Sequence, residues 1–342
     1  MTEAMLPLLQ TYARGVFPNR PGLEITRLES LNTGWESDVY AFDAAWGAPG
    51  ARQVEPLILR IYPGNDAKEK STREFHTLSE LKKLGYPVPR VDHLEPSAAS
   101  PFGRPFLIME RVPGKGMWGQ MFHSEPDERA RLLDLFCALF ARLHALDPRP
   151  FDPAYDPAGN AVQRQFARWG GYVNMLPQSG FLPGWQWLTR HAPEIRQTSF
   201  SPCHWDFHPE NILLDSTGSA VVIDWTGLEV SDRRFDVAWS LLLISSNEGE
   251  AVREPLLRGY ERHAGVTLAD MDFFDAAACF RRLFSVLVSL LMGAEKMGMR
   301  SGAEEMMRAH IRPLQFVYER WLALTATPIA EVEAFLRGSA SR

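Results

Sequence analysis

Residues 203–239 read CHWDFHPENILLDSTGSAVVIDWTGLEVSDRRFDVAW, and the fold turns on this stretch. Asp206 and Asn211 stand five residues apart. A short apolar strand, Ile212 to Leu214, follows; Asp215-Ser-Thr-Gly218 has the composition of a hairpin turn; a second apolar strand, Ala220 to Ile223, ends on Asp224. Antiparallel neighbours bring their ends together, so the spacing predicts Asn211 and Asp224 at one mouth with Asp206 on the loop before it. One of the three side chains is suited to accept a proton. The other two are hard oxygen donors suited to Mg2+, which takes few protein ligands and shares the rest with phosphates.

A base, an Asn and an Asp after a hairpin are the parts of the lower half of a kinase active site. The spelling is not that of protein kinases, which use His-Arg-Asp and Asp-Phe-Gly. Here it is His204-Trp-Asp206-Phe-His-Pro-Glu-Asn211, then Ile223-Asp224-Trp225 and a later Asp236. That pattern resembles the aminoglycoside phosphotransferase and choline kinase-like family, small-molecule kinases with the protein-kinase fold. The resemblance implies an α+β, two-lobed fold: a small antiparallel N-lobe with one main helix (1–111), a hinge at about 110–116, and a larger helical C-lobe (112–342). It implies ATP and Mg2+ as cofactors, Asp206 as catalytic base, and Asn211 and Asp224 as metal ligands. Asp236 would brace the catalytic loop through its backbone N–H groups, and His204 and His208 would support that loop. Trp205 replaces the small residue usual in the family and is expected as an aromatic wall beside the base.

Bulk properties agree with an ordinary globular chain: 342 residues, 45% hydrophobic and 23% charged. A net charge of −6 gives no basic field for nucleic acid. Cys137, Cys203 and Cys279 are scattered, so reduced, buried thiols in a cytoplasmic protein are expected. MTEAMLPLLQ has no basic start and no long apolar run, so no signal peptide is expected. The run from Phe284 to Ala294 is too short to span a bilayer. The expected partner is a small-molecule phosphate acceptor, with neither nucleic acid nor membrane; the sequence assigns no oligomeric state.

Upstream, residues 3–14 suit a short helix, and Leu23 to Leu31 alternates as a strand with one slip. Asn32-Thr-Gly34-Trp35-Glu36-Ser37-Asp38 then leads into a strand, Val39 to Ala45. This is the place of a phosphate-covering loop, whose N–H groups from Gly34 to Ser37 reach phosphate oxygens, with Val39 beside them. In the strand Leu57 to Tyr62, alternation puts Ile58 and Arg60 on one face and Leu57, Leu59 and Ile61 on the other. Arg60 stands where protein kinases carry Lys, a cation able to grip phosphate in two-pronged fashion; Ile58 would roof the adenine. A helix from Lys68 to Leu84 carries a stripe of Phe75, Leu78, Leu81 and Leu84 and closes on Gly85. The resemblance makes its Glu74 the ion-pair partner of Arg60. Phe106 to Val112 is a strand, after which Pro113-Gly114-Lys-Gly116 intervenes. There Met109 would back the adenine pocket, the backbone at Glu110 and Val112 would meet the base edge, and Leu213 and Ile223 would form its floor.

From Pro126 onwards the periodicity is helical. Arg129 to Leu146 shows an apolar face, two short aromatic-rich helices fall in 160–192, and further helices are expected at Arg234–Ser245, Glu248–His263, Asp270–Met297 and Ala303–Leu324. The aromatic residues of 160–192 suit a core face first, with a few lining a substrate pocket. Two alternatives stay open at this point. One is a nucleotide-binding pseudokinase or regulatory protein, suggested by Arg60 and the Gly-poor loop. The other is a protein kinase, which the missing Ala-Pro-Glu element after Asp224 speaks against.

Overall fold

A computed structural model describes residues 2–31, 37–173, 180–195, 198–293 and 311–340. The described residues divide into two compact units. The first draws mainly on Met1–Lys115 and Leu213–Thr226; the second draws on Gly116–Ile212, Gly227–Leu291 and Met306–Arg342. A single division at 111/112 would have placed the hairpin Leu213–Thr226 with the second. It groups with the first because the Val222 N–H donates to the Pro87 carbonyl at 2.8 Å and Trp225 packs edge-on against Tyr86. The Arg73 Nε also donates to the Thr226 carbonyl at 3.1 Å.

The first unit is a five-stranded antiparallel sheet in the order β1-β2-β3-β5-β4, with β1 Glu24–Ser30, β2 Asp38–Trp46, β3 Gln53–Ile61, β4 Val91–Glu95 and β5 Phe106–Glu110. Helix α1 (Thr2–Val16) sets Leu9 and Ala13 into a core with Tyr40, Phe42, Leu57, Leu59, Ile61 and Ile108. The slip in the alternation of Leu23 to Leu31 is a bulge: the β1–β2 register shifts between Thr26 and Glu29, and Arg27 lies there at φ 52. Strand β4 was not legible in the sequence. It carries Asp92, His93 and Glu95 and is half-buried along its whole length, an edge strand without an apolar face to announce it.

Helix α2 (Ala67–Lys83) ends as its composition requires. Gly85 takes φ 73, and the Tyr86 N–H returns to the Leu81 carbonyl at 2.9 Å. Its buried face is not the expected stripe. Ala67, Ser71, Glu74, Thr77, Leu78 and Leu81 are buried, whereas Phe75 is half-buried and Leu84 exposed. The stripe is rotated because the helix turns Glu74 towards β3, where a cation waits for it.

The second unit is mainly helical: α3 Met117–His123, α4 Pro126–His144, α5 Ala161–Val173, α6 Leu182–His191, α7 Arg233–Glu248, α8 Arg253–Ala264, α9 Met271–Met292, α10 Ile311–Thr325 and α11 Ala330–Ala340. Helices α3 and α11 were not anticipated. The expected ends of the last two predicted helices, 294–297 and 303–310, lie outside the described residues. Helices α4 and α8 approach closely because Gly259 has no side chain: a Cβ there would lie 2.7 Å from Cys137 Sγ. Of the aromatic residues in 160–192, Phe166 and Phe181 are buried, Trp169, Trp185 and Trp187 half-buried, and Tyr172 exposed. All three cysteines are free and buried. Among the described residues no helix is long and apolar enough to cross a membrane.

Candidate active site

The second unit holds the loop that carries Asp206. A short antiparallel pair, Ser201–Cys203 with Glu229–Ser231, leads the chain into it. Phe207 then anchors the loop: it is buried and stacks on Phe140 of α4 with ring centroids 4.2 Å apart. Its neighbours Asp206 and His208 are thereby left half-buried. Pro209 opens a short 3-10 turn, Pro209–Asn211, closed by the Asn211 N–H on the His208 carbonyl at 2.9 Å.

Helix α7 holds this loop from beneath. Asp232 caps it, accepting from the Arg234 N–H at 3.0 Å. One turn in, the fully buried Asp236 accepts the backbone N–H groups of His204 at 2.6 Å and Trp205 at 2.8 Å. His144 Nε2 lies 3.2 Å from Asp236 Oδ2 while His144 Nδ1 meets the Tyr260 hydroxyl at 2.8 Å. With Nε2 facing a carboxylate, the network assigns the proton to Nε2 and makes Nδ1 the acceptor. Burial lowers the His144 pKa, with Asp236 pulling the other way. Trp205 is held at φ 68, a strained conformation for so large a residue.

One turn further along α7, Trp239 donates its indole N–H to Asp206 Oδ1 at 3.1 Å. His208 Nε2 lies 3.4 Å from Asp206 Oδ2. Asn211 Nδ2 donates to the Asp206 carbonyl at 2.9 Å, and Asn211 Oδ1 has no partner among the described residues. Burial works against the charge of Asp206, but His208, Trp239 and His204 overcome it and hold the carboxyl well below the usual carboxylate range. Asp206 is therefore anionic at neutral pH, with Oδ1 bonded by Trp239 and Oδ2 3.4 Å from both His208 Nε2 and Asn211 Nδ2.

Trp205 is not the wall beside the base. It is 5% exposed and turned onto Phe235, because the backbone bonds to Asp236 fix its direction. The aromatic ring beside Asp206 is Trp239. Arg281 of α9 lies over the Trp239 ring at 3.8 Å and donates to the Trp205 carbonyl at 3.0 Å. Trp239, His144 and Arg281 were missed in the sequence. Trp239 had a signal, standing three residues after Asp236; so did Arg281-Arg282, charged residues inside the buried run Cys279-Phe280-Arg-Arg-Leu283.

In the first unit, Arg60 is the hub. Alternation along β3 points it away from Leu57, Leu59 and Ile61. Its Nε donates to Ser37 Oγ at 2.9 Å, one terminal nitrogen to Glu74 Oε1 at 2.9 Å, and the other to Asp224 Oδ1 at 2.7 Å. The Tyr62 hydroxyl donates to Glu74 Oε2. Burial opposes the Arg60 charge, and the carboxylates of Glu74 and Asp224 raise its pKa regardless. Glu74 is 1% exposed, so it belongs to this cluster and not to the solvated surface. Asp224 takes φ 66 and keeps a side chain 37% exposed, which leaves its carboxylate reachable while one oxygen holds Arg60.

Around this hub, Val39 faces Arg60 across β2–β3, and Ile58 faces Met109 across β3–β5. Ile58, Leu213 and Ile223 are half-buried, Met109 buried. Gly34, Trp35 and Glu36 lie outside the described residues. Strand β5 ends at Glu110, short of the expected Val112. The Glu110 N–H is already donated to the Arg90 carbonyl at 2.8 Å, so only its carbonyl is left to meet a base edge.

Taken singly, Asn211 in the second unit offers an amide oxygen without a protein partner among the described residues, and Asp224 in the first unit offers a carboxylate; each is a hard oxygen donor of the kind Mg2+ takes.

A model of the phosphotransferase enzyme family matches residues 27–274, spanning both the Arg60 cluster and the Asp206 loop. The chain belongs to that family. It is a small-molecule kinase with a hydroxyl acceptor, and its α+β fold is the protein-kinase-like fold of the family. It is similar over 94% of its length to a putative aminoglycoside phosphotransferase from Ralstonia eutropha JMP134, at 20% identity and a TM-score of 0.68, covering 98% of that chain. It is also similar to choline kinase LicA from Streptococcus pneumoniae, at 14% identity and a TM-score of 0.59, covering 92% of this chain and 99% of that one. A thermostable mutant of aminoglycoside phosphotransferase APH(4)-Ia in ternary complex with ADP and hygromycin B matches at 16% identity and a TM-score of 0.58, covering 93% and 98%.

Proposed function

We propose that this family member transfers the γ-phosphate of ATP, with Mg2+, to a hydroxyl of a small molecule. The observation that carries the reading is the state of Asp206: a carboxylate kept anionic, with Oδ1 occupied by Trp239 and its loop hung by two N–H bonds on buried Asp236.

Asp206 orients the acceptor hydroxyl and takes its proton as the hydroxyl oxygen bonds to the γ-phosphorus; the bond to the bridging oxygen breaks and ADP leaves. Asn211 and Asp224 are the residues that would hold Mg2+, whose charge offsets that of the phosphates. Arg60, braced by Glu74 and Ser37, is the side chain that would neutralise phosphate charge. Ile58, Met109, Leu213 and Ile223 supply apolar surface for the base, and Gly34 to Ser37 backbone donors for phosphate. We assign 1–111 to nucleotide binding and 112–342 to catalysis and acceptor binding, in the cytoplasm, where ATP is supplied and buried thiols stay reduced. The test is ADP release with a panel of hydroxylated metabolites, read alongside single-turnover phosphate transfer. Absence of ADP release with every acceptor, in protein that binds Mg-ATP, would support the pseudokinase instead.

A further inference from the structure

The charges around Asp206 are of an unexpected sign for an enzyme that resembles kinases of polycationic antibiotics. Arg281 and Arg282, adjacent on α9, both interact electrostatically with Asp206. Arg281 lies over Trp239, the ring that holds Asp206, and bonds the Trp205 carbonyl just before the base. No carboxylate forms an ion pair with Arg281 among the described residues.

The nearby carboxylates are already matched. Asp236 is filled by two backbone N–H groups and His144. Glu229 pairs with Arg168 at 3.1 Å. Asp206 is bonded by Trp239 and reserved for the acceptor hydroxyl. A polycationic acceptor needs spare carboxylates, and these three are committed. What is spare is positive: a guanidinium half-buried against two tryptophans, with no carboxylate in ion-pair contact among the described residues. Desolvating a cation without a carboxylate in contact is costly, and the Trp205 carbonyl, the stack on Trp239 and the more distant field of Asp206, Asp236 and Glu229 offset part of that. Burial brings the Arg281 pKa down to about 10, so the group is charged at neutral pH.

We propose that the acceptor carries an anionic group, a carboxylate or phosphate, which Arg281 binds with Arg282 adding field, while a hydroxyl of the same molecule faces Asp206. Arg281 is then a specificity-determining residue. This inference rests on Asp206 being the base. The anion completes the half-paired guanidinium, and the same contact sets the distance from charged group to reacting hydroxyl. A cationic acceptor would place its ammonium against Arg281.

The test uses the full chain and compounds that differ mainly in charge: gluconate, sorbitol and glucamine as one series, and glycerol 3-phosphate, glycerol and 2-amino-1,3-propanediol as another, with hygromycin B as polycation. Binding is read by calorimetry and transfer by ADP release. The expected result is a preference of at least about tenfold for the anion over its neutral counterpart in one series, and more over the cation. Arg281→Gln should remove that preference, raising KM for the anion more than it lowers kcat; Arg281→Lys should keep part of it. Arg282→Gln, which leaves the Trp239 stack intact, should weaken it less. The proposal is overturned if no anion binds, if cations bind as well as anions, or if Arg281→Gln leaves anion binding unchanged. Its failure is distinct from that of the kinase reading. ADP release onto a cation that survives Arg281→Gln sinks this inference alone. Arg281-dependent anion binding with no ADP release from any acceptor sinks the kinase reading and leaves the anion site.

Discussion

Trp239 donates its indole N–H to Asp206 at 3.1 Å, and it does so from the same helix face as Asp236, one turn before it. A single helix thus holds the base twice, the loop backbone through Asp236 and the side chain through Trp239. Positions three apart on a helix share a face, which is why one element does both. The carboxylate is fixed at Oδ1, while Oδ2 has longer contacts, 3.4 Å to His208 Nε2 and to Asn211 Nδ2, that an acceptor hydroxyl can replace.

Asp206→Asn should keep Mg-ATP binding and lower turnover by on the order of 10²–10⁴-fold, the usual worth of a general base. Trp239→Phe keeps the ring under Arg281 but removes the N–H. A hydrogen bond to a charged group is worth about 1.5–3 kcal/mol, so turnover should fall roughly 10- to 100-fold. The sign of the pH effect follows. Asp206 has its pKa depressed by His208 and Trp239, and activity needs the carboxylate, so activity is lost only as pH falls through that low value. Without the indole the pKa rises, and the acid limb of kcat/KM should move to higher pH. An unmoved limb in Trp239→Phe, or near wild-type single-turnover transfer in Asp206→Asn, counts against the assignment.

Asp236→Ala should be destabilising as well as inactive. It leaves the N–H groups of His204 and Trp205 and the Nε2 of His144 without their buried acceptor. Each unsatisfied buried group costs about 1–3 kcal/mol, so urea unfolding should show a loss of several kcal/mol. Asp236→Asn retains one acceptor oxygen and should recover part of the stability while the loop, and turnover, stay impaired. Equal stability of wild type and Asp236→Ala would mean that other groups hold the loop.

How far this was legible beforehand depends on the range of the interaction. The Arg60 face, the α2 C-terminus at Gly85 and the hairpin before Asp224 follow from local periodicity and turn chemistry, and all three can be read along the chain. The family match at 27–274 bears out the family to which the Asp206, Asn211 and Asp224 pattern points. Trp239 was not singled out although three residues from Asp236, because an indole in an apolar helix reads as core. Arg281 was missed because its contacts lie about 75 residues away in sequence, at Trp205. The α2 stripe failed for a related reason: a buried Glu74 looks polar in sequence and only its distant partner explains its direction. Strand β4 lacked any apolar alternation to find.

Asp224→Ala should abolish the Mg2+-dependent part of ATP stabilisation, and Asn211→Ala should raise the Mg2+ needed for half-maximal effect. A ligand that binds only the native state raises stability by RT ln(1 + [L]/Kd), so thermal shifts at matched ATP report the lost affinity directly. Asp224→Ala also frees one arm of Arg60. The melting temperature without nucleotide is therefore the baseline for each variant. Should ATP with Mg2+ shift Asp224→Ala as far as wild type, the metal assignment is wrong.

The last prediction concerns Arg60, where structure and catalysis must be separated. Arg60→Met removes the charge facing Glu74, and Glu74 is 1% exposed. Breaking a buried pair from one side costs about 3–5 kcal/mol, since an uncompensated charge is left behind. Loss of activity in Arg60→Met alone would therefore be ambiguous. The double variant Arg60→Met with Glu74→Gln removes both charges and should recover a good part of the stability. It should not recover activity, because a preorganised cation at the phosphates is worth about 3 kcal/mol of transition-state stabilisation. Arg60→Lys keeps the charge, but one ammonium cannot reproduce a guanidinium that serves Ser37, Glu74 and Asp224 at once. A moderate loss, seen mostly in KM for ATP, is expected. The measurements are kcat and KM for ATP with an accepted hydroxyl compound, alongside the unfolding free energy of each variant. If the double variant regains stability and turnover together, Arg60 is a structural cation that holds Glu74 and Asp224, and the positive charge for the phosphates must come from elsewhere.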